Sequence, residues 1–185
     1  MSLSRLKGLE SGTLRLAVAT TAKYFIPHLL GPFCQRYPGI DIQLTIANRQ
    51  QVIERVGIGA DDFYVFSHLP EGLDLEVIEF MSNDLVAIAE VNHPFTKKSR
   101  VSLEEFCQED FLIREIGSGT RYATEAFFKQ QPYQPKIKMT IASNEAIIHS
   151  VLSRLGVSIL SAHTLAFGNI YDVQVINVDS LPIKT

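Results

Sequence analysis

Four short stretches of the sequence place hydroxyl or amide side chains where a predicted strand is followed by a predicted helix. They lie at 20–23, 47–50, 117–121 and 142–145, and three of them also carry a lysine or arginine in or beside the first helical turn. Ser, Thr and Asn are favoured N-caps in any protein, so capping alone explains any one of these stretches. The question is what the four stretches do together.

The cations at these helix starts indicate a second role. A positive charge in the first turn opposes the helix dipole, which favours carboxylates there. None of the residues three positions after the expected N-caps is the glutamate of a charged capping box; they are Tyr24, Gln51, Arg121 and Ala146. Helix N-termini of this kind bind anions, and in open α/β sheets ligands bind beyond the carboxyl ends of the strands. The sequence therefore predicts an anion pocket, most simply in a cleft between two lobes.

The predicted pocket residues share a donor group, or a glycine backbone, close to a helix start. They are Thr20, Thr21, Lys23, Asn48 and Arg49 in the first half, and Arg114, Ser118, Gly119, Thr120, Arg121, Ser143 and Asn144 in the second. Gly117 and Gly119 would let backbone N–H groups approach the ligand. Arg114 or Arg121 would hold a carboxylate or phosphate with its planar fork. A second arrangement, in which Lys23 and Arg49 face a neighbouring subunit, remains open.

Alternating strands and helices must position these residues. Strands are predicted at 13–19, 40–47, 62–67, 75–80, 85–89, 110–115, 137–142 and 157–161, and helices from Phe25 to Tyr37 and at 50–57, 101–106, 120–130 and 144–156. This alternation predicts an α/β fold with mainly parallel sheets. A change of pattern at 90–95 predicts two lobes: 13–89 continued by 166–185, and 90–165, with a hinge near 89–91. Residues 1–12 are predicted to be a tag and linker, which makes the chain an excised domain.

Composition narrows the class of protein further. The 185 residues are 46% hydrophobic and 20% charged, with a formal net charge of -3, so a generally basic nucleic-acid-binding surface is excluded for this chain. The two cysteines have no metal-ligand or CxxC spacing, which favours a reducing cytoplasm. No segment is typical of a signal peptide or of the roughly 20 apolar residues of a membrane span. We expect a cytoplasmic protein without a bound cofactor or metal.

Several motifs resemble the effector-binding domain of LysR-type transcriptional regulators from about Ser11 to Leu165. They are SGTLRLAVATTAKYFIPHLLGPFCQRYPGI, ANRQQVIERV, NHPF, REIGSGTR, SNEAI and LGVSILS. The combination TTAKYF, FCQRYPGI, NR, GSGTR and SNEAI is similar to the branch that regulates RuBisCO operons and carbon fixation.

This resemblance implies the fold of type 2 periplasmic binding proteins, with two α/β lobes and a small metabolite bound between them. It also implies a homodimer or homotetramer that contacts DNA through an N-terminal winged helix-turn-helix domain absent from this chain. Effectors in the branch are anions: 2-oxoglutarate, sugar bisphosphates, phosphoglycolate and NADPH. The family normally adds another strand and a long helix after the position of Thr185.

Other classes of protein fit less well. A serine hydrolase would use Ser118 with His149 or His163, but the G-x-S-x-G elbow is missing because the sequence reads I-G-S-G-T. Five scattered histidines give no HExxH spacing for a metal site. A solute-binding protein for transport of a small anion would have the same fold and is the alternative function. An interaction domain without a ligand is the third possibility.

Overall fold

The computed structural model describes residues 11–70, 72–73, 75–166 and 172–185. It divides the chain into two compact units, Met1–Leu69 and Pro70–Thr185. Residues 1–10 of the predicted tag and linker lie outside the described residues.

The first unit is a three-stranded parallel sheet with two α-helices. Its strands are β1 (Gly12–Ala19), β2 (Ile40–Ala47) and β3 (Phe63–Val65), in the order β2-β1-β3. A 3-10 turn over Ala22–Tyr24 leads into α1 (Ile26–Arg36), and α2 (Arg49–Gly57) follows β2. The core joins Leu16 and Val18 of β1 to Ala22, Phe25 and Ile26. The predicted helix end is confirmed, because the N–H of Tyr37 donates to the carbonyl of Phe33 and Tyr37 leaves the helical conformation.

The second unit is a five-stranded mixed sheet. Its strands are β4 (Leu85–Glu90), β5 (Asp110–Arg114), β6 (Lys136–Ile141), β7 (Val157–Ser161) and β8 (Val173–Val175), in the order β6-β5-β7-β4-β8. Strand β5 runs parallel to β6 and β7, whereas β4 runs antiparallel to β7 and β8. The helices are α3 (Leu103–Gln108), α4 (Gly119–Lys129), α5 (Asn144–Leu152) and α6 (Ala162–Ala166). Ser102 caps α3 as predicted, since its Oγ accepts from the N–H of Glu105.

The boundary between the units differs from the predicted one. We expected the first lobe to run to 89 and to resume at 166–185, but the structure divides the chain after Leu69. Strand β4 lies inside the five-stranded sheet, between β7 and β8, so it belongs to the second unit. Strand β8 and the bridge between Leu85 and Ile183 bring the segment after 172 to the same unit. The buried LVAIA run was therefore correctly predicted as a strand but assigned to the wrong lobe.

The predicted strand at 75–80 is wrong. This segment forms no regular structure, and Val77, Ile78 and Phe80 are 53%, 74% and 55% exposed. A strand forms only where a neighbouring strand satisfies its backbone N–H and C=O groups, and no strand of the described residues pairs with this segment. For the same reason the strand predicted at 62–67 is reduced to Phe63–Val65.

Helix α5 ends four residues before the glycine that was predicted to stop it. The helix stops at Leu152, and Arg154 takes a left-handed φ of 59°. Gly156 lies in the loop beyond, with a φ of 156°, where a Cβ would come within 2.1 Å of the carbonyl oxygen of Asp110. The glycine is thus required for close packing of this loop on the start of β5 rather than for ending the helix.

Two lysines of the edge strand β6 neutralise the carboxylate at the start of β5. Lys136 Nζ lies 2.7 Å from Asp110 Oδ1, and Lys138 Nζ lies 2.6 Å from Asp110 Oδ2. Hydrogen bonds from Lys136 and then Lys138 lower the pKa of Asp110 to about 2. These ion pairs fix the edge strand against its neighbour at the end of the sheet opposite to the predicted ligand-binding residues.

Candidate functional site

The two predicted junctions of the first unit are neighbours at one sheet edge. Strands β1 and β2 are parallel and in register, with Ala19 opposite Ala47. The residues just beyond these strand ends, Thr20 and Asn48, therefore emerge side by side. Thr20 Oγ1 lies 3.5 Å from the carbonyl oxygen of Ala47, a long contact that ties the two junctions together.

Asn48 is an N-cap in a complete capping box. Its Oδ1 accepts from the N–H of Gln51 at 3.0 Å, and the Gln51 side chain accepts from the N–H of Asn48 at 3.0 Å. A neutral glutamine thus fills the place of the glutamate whose absence the sequence indicated. Thr21, in contrast, precedes the 3-10 turn and makes no capping hydrogen bond with the described residues. Its hydroxyl is not needed to start the helix.

The two cations among the predicted pocket residues of the first unit, Lys23 and Arg49, contact neighbouring protein groups. The Arg49 guanidinium donates to the carbonyl of His68, at 2.9 Å from Nε and 2.6 Å from Nη2, and Nε also lies 3.3 Å from the carbonyl of Ser67. Burial lowers the pKa of His68, and the charge of Arg49 lowers it further. Lys23 Nζ lies 5.1 Å from the centre of the Tyr24 ring. Arg49 therefore fastens the loop after β3 to the start of α2.

The two junctions of the second unit are also neighbours. Arg114 at the end of β5 lies opposite Ile141 at the end of β6, so 117–121 and 143–144 follow adjacent strand ends. Ser118 caps α4 by accepting from the N–H of Arg121 at 3.4 Å. Ser143 caps α5 by accepting from the N–H of Ala146 at 3.2 Å. Ser118 and Asn144 are only 3% and 1% exposed.

Arg114 lies at the centre of this second group, and its whole residue is 2% exposed. Its Nε and Nη2 donate to the two carboxylate oxygens of Glu115, at 2.8 and 3.1 Å. Its Nη1 donates to Oδ1 of Asn144 across the sheet edge. The fork that we expected to hold a ligand carboxylate is thus paired with a carboxylate of the protein.

Arg121 is paired in a similar way on α4. Its Nε donates to Glu125 at 2.6 Å, and its Nη1 donates to the carbonyl of Arg114 at 3.1 Å. The start of α5 also carries a carboxylate, since Glu145 lies in its first turn. This carboxylate accepts a hydrogen bond from the hydroxyl of Ser143 at 2.9 Å. The expectation of helix starts without a nearby carboxylate is therefore wrong for α5, where Glu145 itself supplies one.

Gly117 has a structural task that the sequence analysis did not assign. The N–H of Ser118 donates to the carbonyl of Glu115 at 3.2 Å, which closes a four-residue turn with Gly117 in its third position. Gly117 has a φ of 92°, a conformation that favours glycine. This turn reverses the chain after β5 and leaves the Glu115 carboxylate beside Arg114.

Sequence reasoning missed the carboxylate partners Glu115 and Glu125. Glu125 follows Arg121 by four residues on a helix, a spacing that pairs opposite charges and was open to prediction. Glu115 directly follows Arg114, and adjacent residues of a strand point to opposite faces, so only the turn reveals this contact. In the described part of the chain, no cluster of three His, Cys, Asp or Glu side chains is arranged for a metal ion. None of the helices in these same ranges has the length and apolarity of a membrane span.

Two α/β units with parallel-dominated sheets and polar strand-to-helix junctions define the class of type 2 periplasmic-binding-protein-like folds. The family model described as LysR substrate binding domain matches residues 7–177, and the chain belongs to this family. This confirms the resemblance noted from the sequence motifs.

Three relatives define the branch of the family. The chain is 45% identical over 183 residues to the HTH-type transcriptional activator CmpR of Synechocystis, covering 98% of this chain and 60% of CmpR. It is 40% identical to a RuBisCO operon transcriptional regulator of Acidithiobacillus ferrooxidans, covering 88% of this chain and 53% of that protein. The regulatory domain of Synechocystis CcmR, solved in complex with 2-PG, is 42% identical with a TM-score of 0.90, over 94% of this chain and 84% of that one. The chain thus spans little more than half the length of these two curated regulators.

Proposed function

We propose that this chain is the effector-sensing part of a LysR-type transcriptional regulator of carbon-fixation genes, and that it binds a small anionic metabolite. The observation that carries the proposal is the likeness to CcmR, whose regulatory domain was solved with 2-PG and is 42% identical over 94% of this chain. The likeness to CmpR and to a RuBisCO operon regulator supports the same branch. The ligand class is a small anion such as phosphoglycolate, 2-oxoglutarate, a sugar phosphate or NADPH.

The ligand would bind at the polar strand-to-helix junctions. Support comes from the register of the strands, which brings the two junctions of each unit to one sheet edge. Thr20 and Thr21 would donate hydroxyls from the first unit, and Asn144 would donate its amide from the second. The remaining candidates would shape these junctions: Lys23, Asn48, Arg49, Arg114, Ser118, Gly119, Thr120, Arg121 and Ser143.

The regulatory mechanism would be closure of two lobes on the metabolite. Closure changes an equilibrium only if the ligand has different affinities for the open and closed conformations. The change would pass to DNA through a helix-turn-helix domain in the parent regulator, acting as a homodimer or homotetramer in the cytoplasm. No catalytic residue enters this mechanism, and the relatives are transcriptional regulators.

A thermal-shift and calorimetric screen tests this function. The ligands are phosphoglycolate, 2-oxoglutarate, ribulose bisphosphate, 3-phosphoglycerate and NADPH. A ligand at 100 times its Kd adds about 2.7 kcal/mol to the free energy of unfolding, which raises Tm measurably. We expect at least one of these anions to do so.

Thr21→Val is the matched site variant. It removes a hydroxyl that makes no capping hydrogen bond with the described residues, so the fold should be retained while the affinity falls about tenfold. Thr13→Val, in the exposed beginning of β1, is the control and should bind as the wild type does. If no anion raises Tm, the proposed function is wrong and an interaction domain without a ligand becomes the better description.

A further inference from the structure

The residues just before β4 are bound to the residues at the end of β7. Ser161, which is 1% exposed, donates its hydroxyl to Oδ1 of Asn83 at 2.6 Å. His163 Nε2 lies 2.8 Å from the carbonyl oxygen of Ser82. A carbonyl oxygen only accepts, so Nε2 carries a proton and donates it to this bond. These two side-chain hydrogen bonds are called the latch below.

Further hydrogen bonds hold the residues next to the latch. The N–H of Ala162 donates to the carbonyl of Asp84 at 2.8 Å, and Lys184 Nζ lies 2.7 Å from Asp84 Oδ2. The N–H of Asn83 donates to the carbonyl of Thr185 at 3.0 Å, and its Nδ2 donates to Thr185 Oγ1 at 2.7 Å. The residues before β4 are thus fixed between the end of β7 and the last residues of the chain.

The residues that precede Ser82 have no comparable support. Segment 75–81 forms no regular structure, no strand of the described residues pairs with it, and it exposes Val77, Ile78 and Phe80. Segments with few buried apolar contacts change conformation most easily. A change in the backbone that leads into β4 is therefore taken up at 75–81, and the latch sets the end of this movable stretch at Ser82.

Two buried polar atoms beside the latch lack hydrogen-bond partners among the described residues. They are Oδ1 of Asp84 and Oγ1 of Thr164, a residue that is 1% exposed. Buried polar groups are nearly always hydrogen-bonded, and one without a partner destabilises the arrangement that contains it. An arrangement in which these atoms reach water therefore lies closer in free energy to the observed one than it would beside a fully bonded latch.

We propose that Ser161 and His163 form a conformational latch with a fastened and a released state. The fastened state is the one in this structure. In the released state the imidazole leaves the carbonyl of Ser82, the movable stretch gains residues 82–84, and the buried polar atoms beside the latch reach water. Any effect of this latch on lobe closure rests on the proposed function, whereas the two states of the latch do not.

Amide hydrogen exchange followed by NMR on the 185-residue chain without ligand tests the latch. His163→Leu removes the donor to Ser82, whereas His163→Gln keeps an N–H donor near the position of Nε2. In the leucine variant the amides of Asn83 and Ala162 should exchange about fivefold faster, the change expected for one lost neutral hydrogen bond. In the glutamine variant they should stay within about twofold of wild type. A role of the imidazole in packing alone would speed exchange in both variants.

Three further variants complete the experiment. Thr164→Val removes the hydroxyl without a partner at nearly constant shape, so it should slow exchange of the same two amides at least about threefold. His149→Leu makes the control substitution at an exposed histidine of α5 and should leave these amides unchanged. Ser161→Ala removes the other half of the latch, and it should speed their exchange about fivefold even if His163→Leu does not fold.

The outcomes decide for or against the latch without involving a ligand. Wild-type exchange in both His163→Leu and Ser161→Ala overturns the inference, and so does equal acceleration in the leucine and glutamine variants. Faster exchange in Thr164→Val also overturns it, because the hydroxyl would then stabilise the fastened state. The proposed function stands or falls separately, since its own test is whether any of the anions binds.

Discussion

Replacing Arg114 with methionine should be among the most damaging single substitutions in the second unit. The change keeps much of the side-chain volume but removes the partner of Glu115 and the donor to Asn144. Breaking a buried ion pair from one side typically costs about 3–5 kcal/mol. Because the Glu115 side chain is 21% exposed and regains some water, we expect the lower end, about 3 kcal/mol. For a unit of this size the corresponding fall in Tm is about 10 °C.

Calorimetry and urea denaturation measure this loss, and two comparisons identify its origin. Arg121→Met breaks the i,i+4 pair with Glu125 and one bond to a carbonyl, and should cost only about 1 kcal/mol. The double variant Arg114→Met/Glu115→Gln should recover part of the stability, since it removes the unpaired carboxylate. A cost below about 1 kcal/mol for Arg114→Met, or no recovery in the double variant, would refute the view that this pair is a buried structural group.

Three other predictions concern parts of the fold away from this pair. Gly156→Ala should destabilise the chain by about 2–4 kcal/mol in a urea titration, because the new Cβ would lie 2.1 Å from the carbonyl oxygen of Asp110. Gly57→Ala is the control and should cost little, because no atom lies within 4 Å of the Cβ that it adds. The pKa of Asp110 is lowered from 3.8 to about 2, so its stabilising contribution is present above pH 4 and is lost as the pH falls toward 2. Asp110→Asn should therefore make Tm less sensitive to pH in that range. Ellman's reagent should modify exposed Cys34 quickly and buried Cys107 only on unfolding, because burial raises the pKa of Cys107 to about 11.

Local signals in the sequence predicted most of the sheet and helices. The alternation in 40–47 and the buried run at 85–89 gave strands with nearly the observed bounds, and Ser102 was found as a cap. The errors arose where structure depends on distant partners. The segment 75–80 has a strand-like composition, but no strand of the described residues pairs with it. Likewise, the place of β4 between β7 and β8 depends on pairings that the order of elements along the chain does not specify.

The grouping of the candidate residues at neighbouring strand ends was predictable, but most of their side-chain contacts were not. Strand ends and helix starts can be read from the sequence, so the residues that emerge together at each sheet edge were found. The contact of Glu115 with Arg114 was not found, because it depends on the four-residue turn that has Gly117 in its third position. The hydrogen bond from Arg114 to the side-chain oxygen of Asn144, between residues 30 positions apart, likewise has no signature in the sequence.

The pairing of the second unit's two ends has a consequence for how the chain folds as it is synthesised. Asn83 and Thr185 are hydrogen-bonded across 102 residues of sequence, and β4 also pairs with the last residues through Ile183. The first unit needs much shorter separations, up to the 47 residues between Arg15 and Asp62. Because N-terminal units generally fold first during translation, the first unit can complete its sheet while most of the second is still unmade. Strand β4 cannot complete its pairings until the segment around 183–185 has been synthesised, so the sheet of the second unit, with its higher contact order, forms later and more slowly than that of the first.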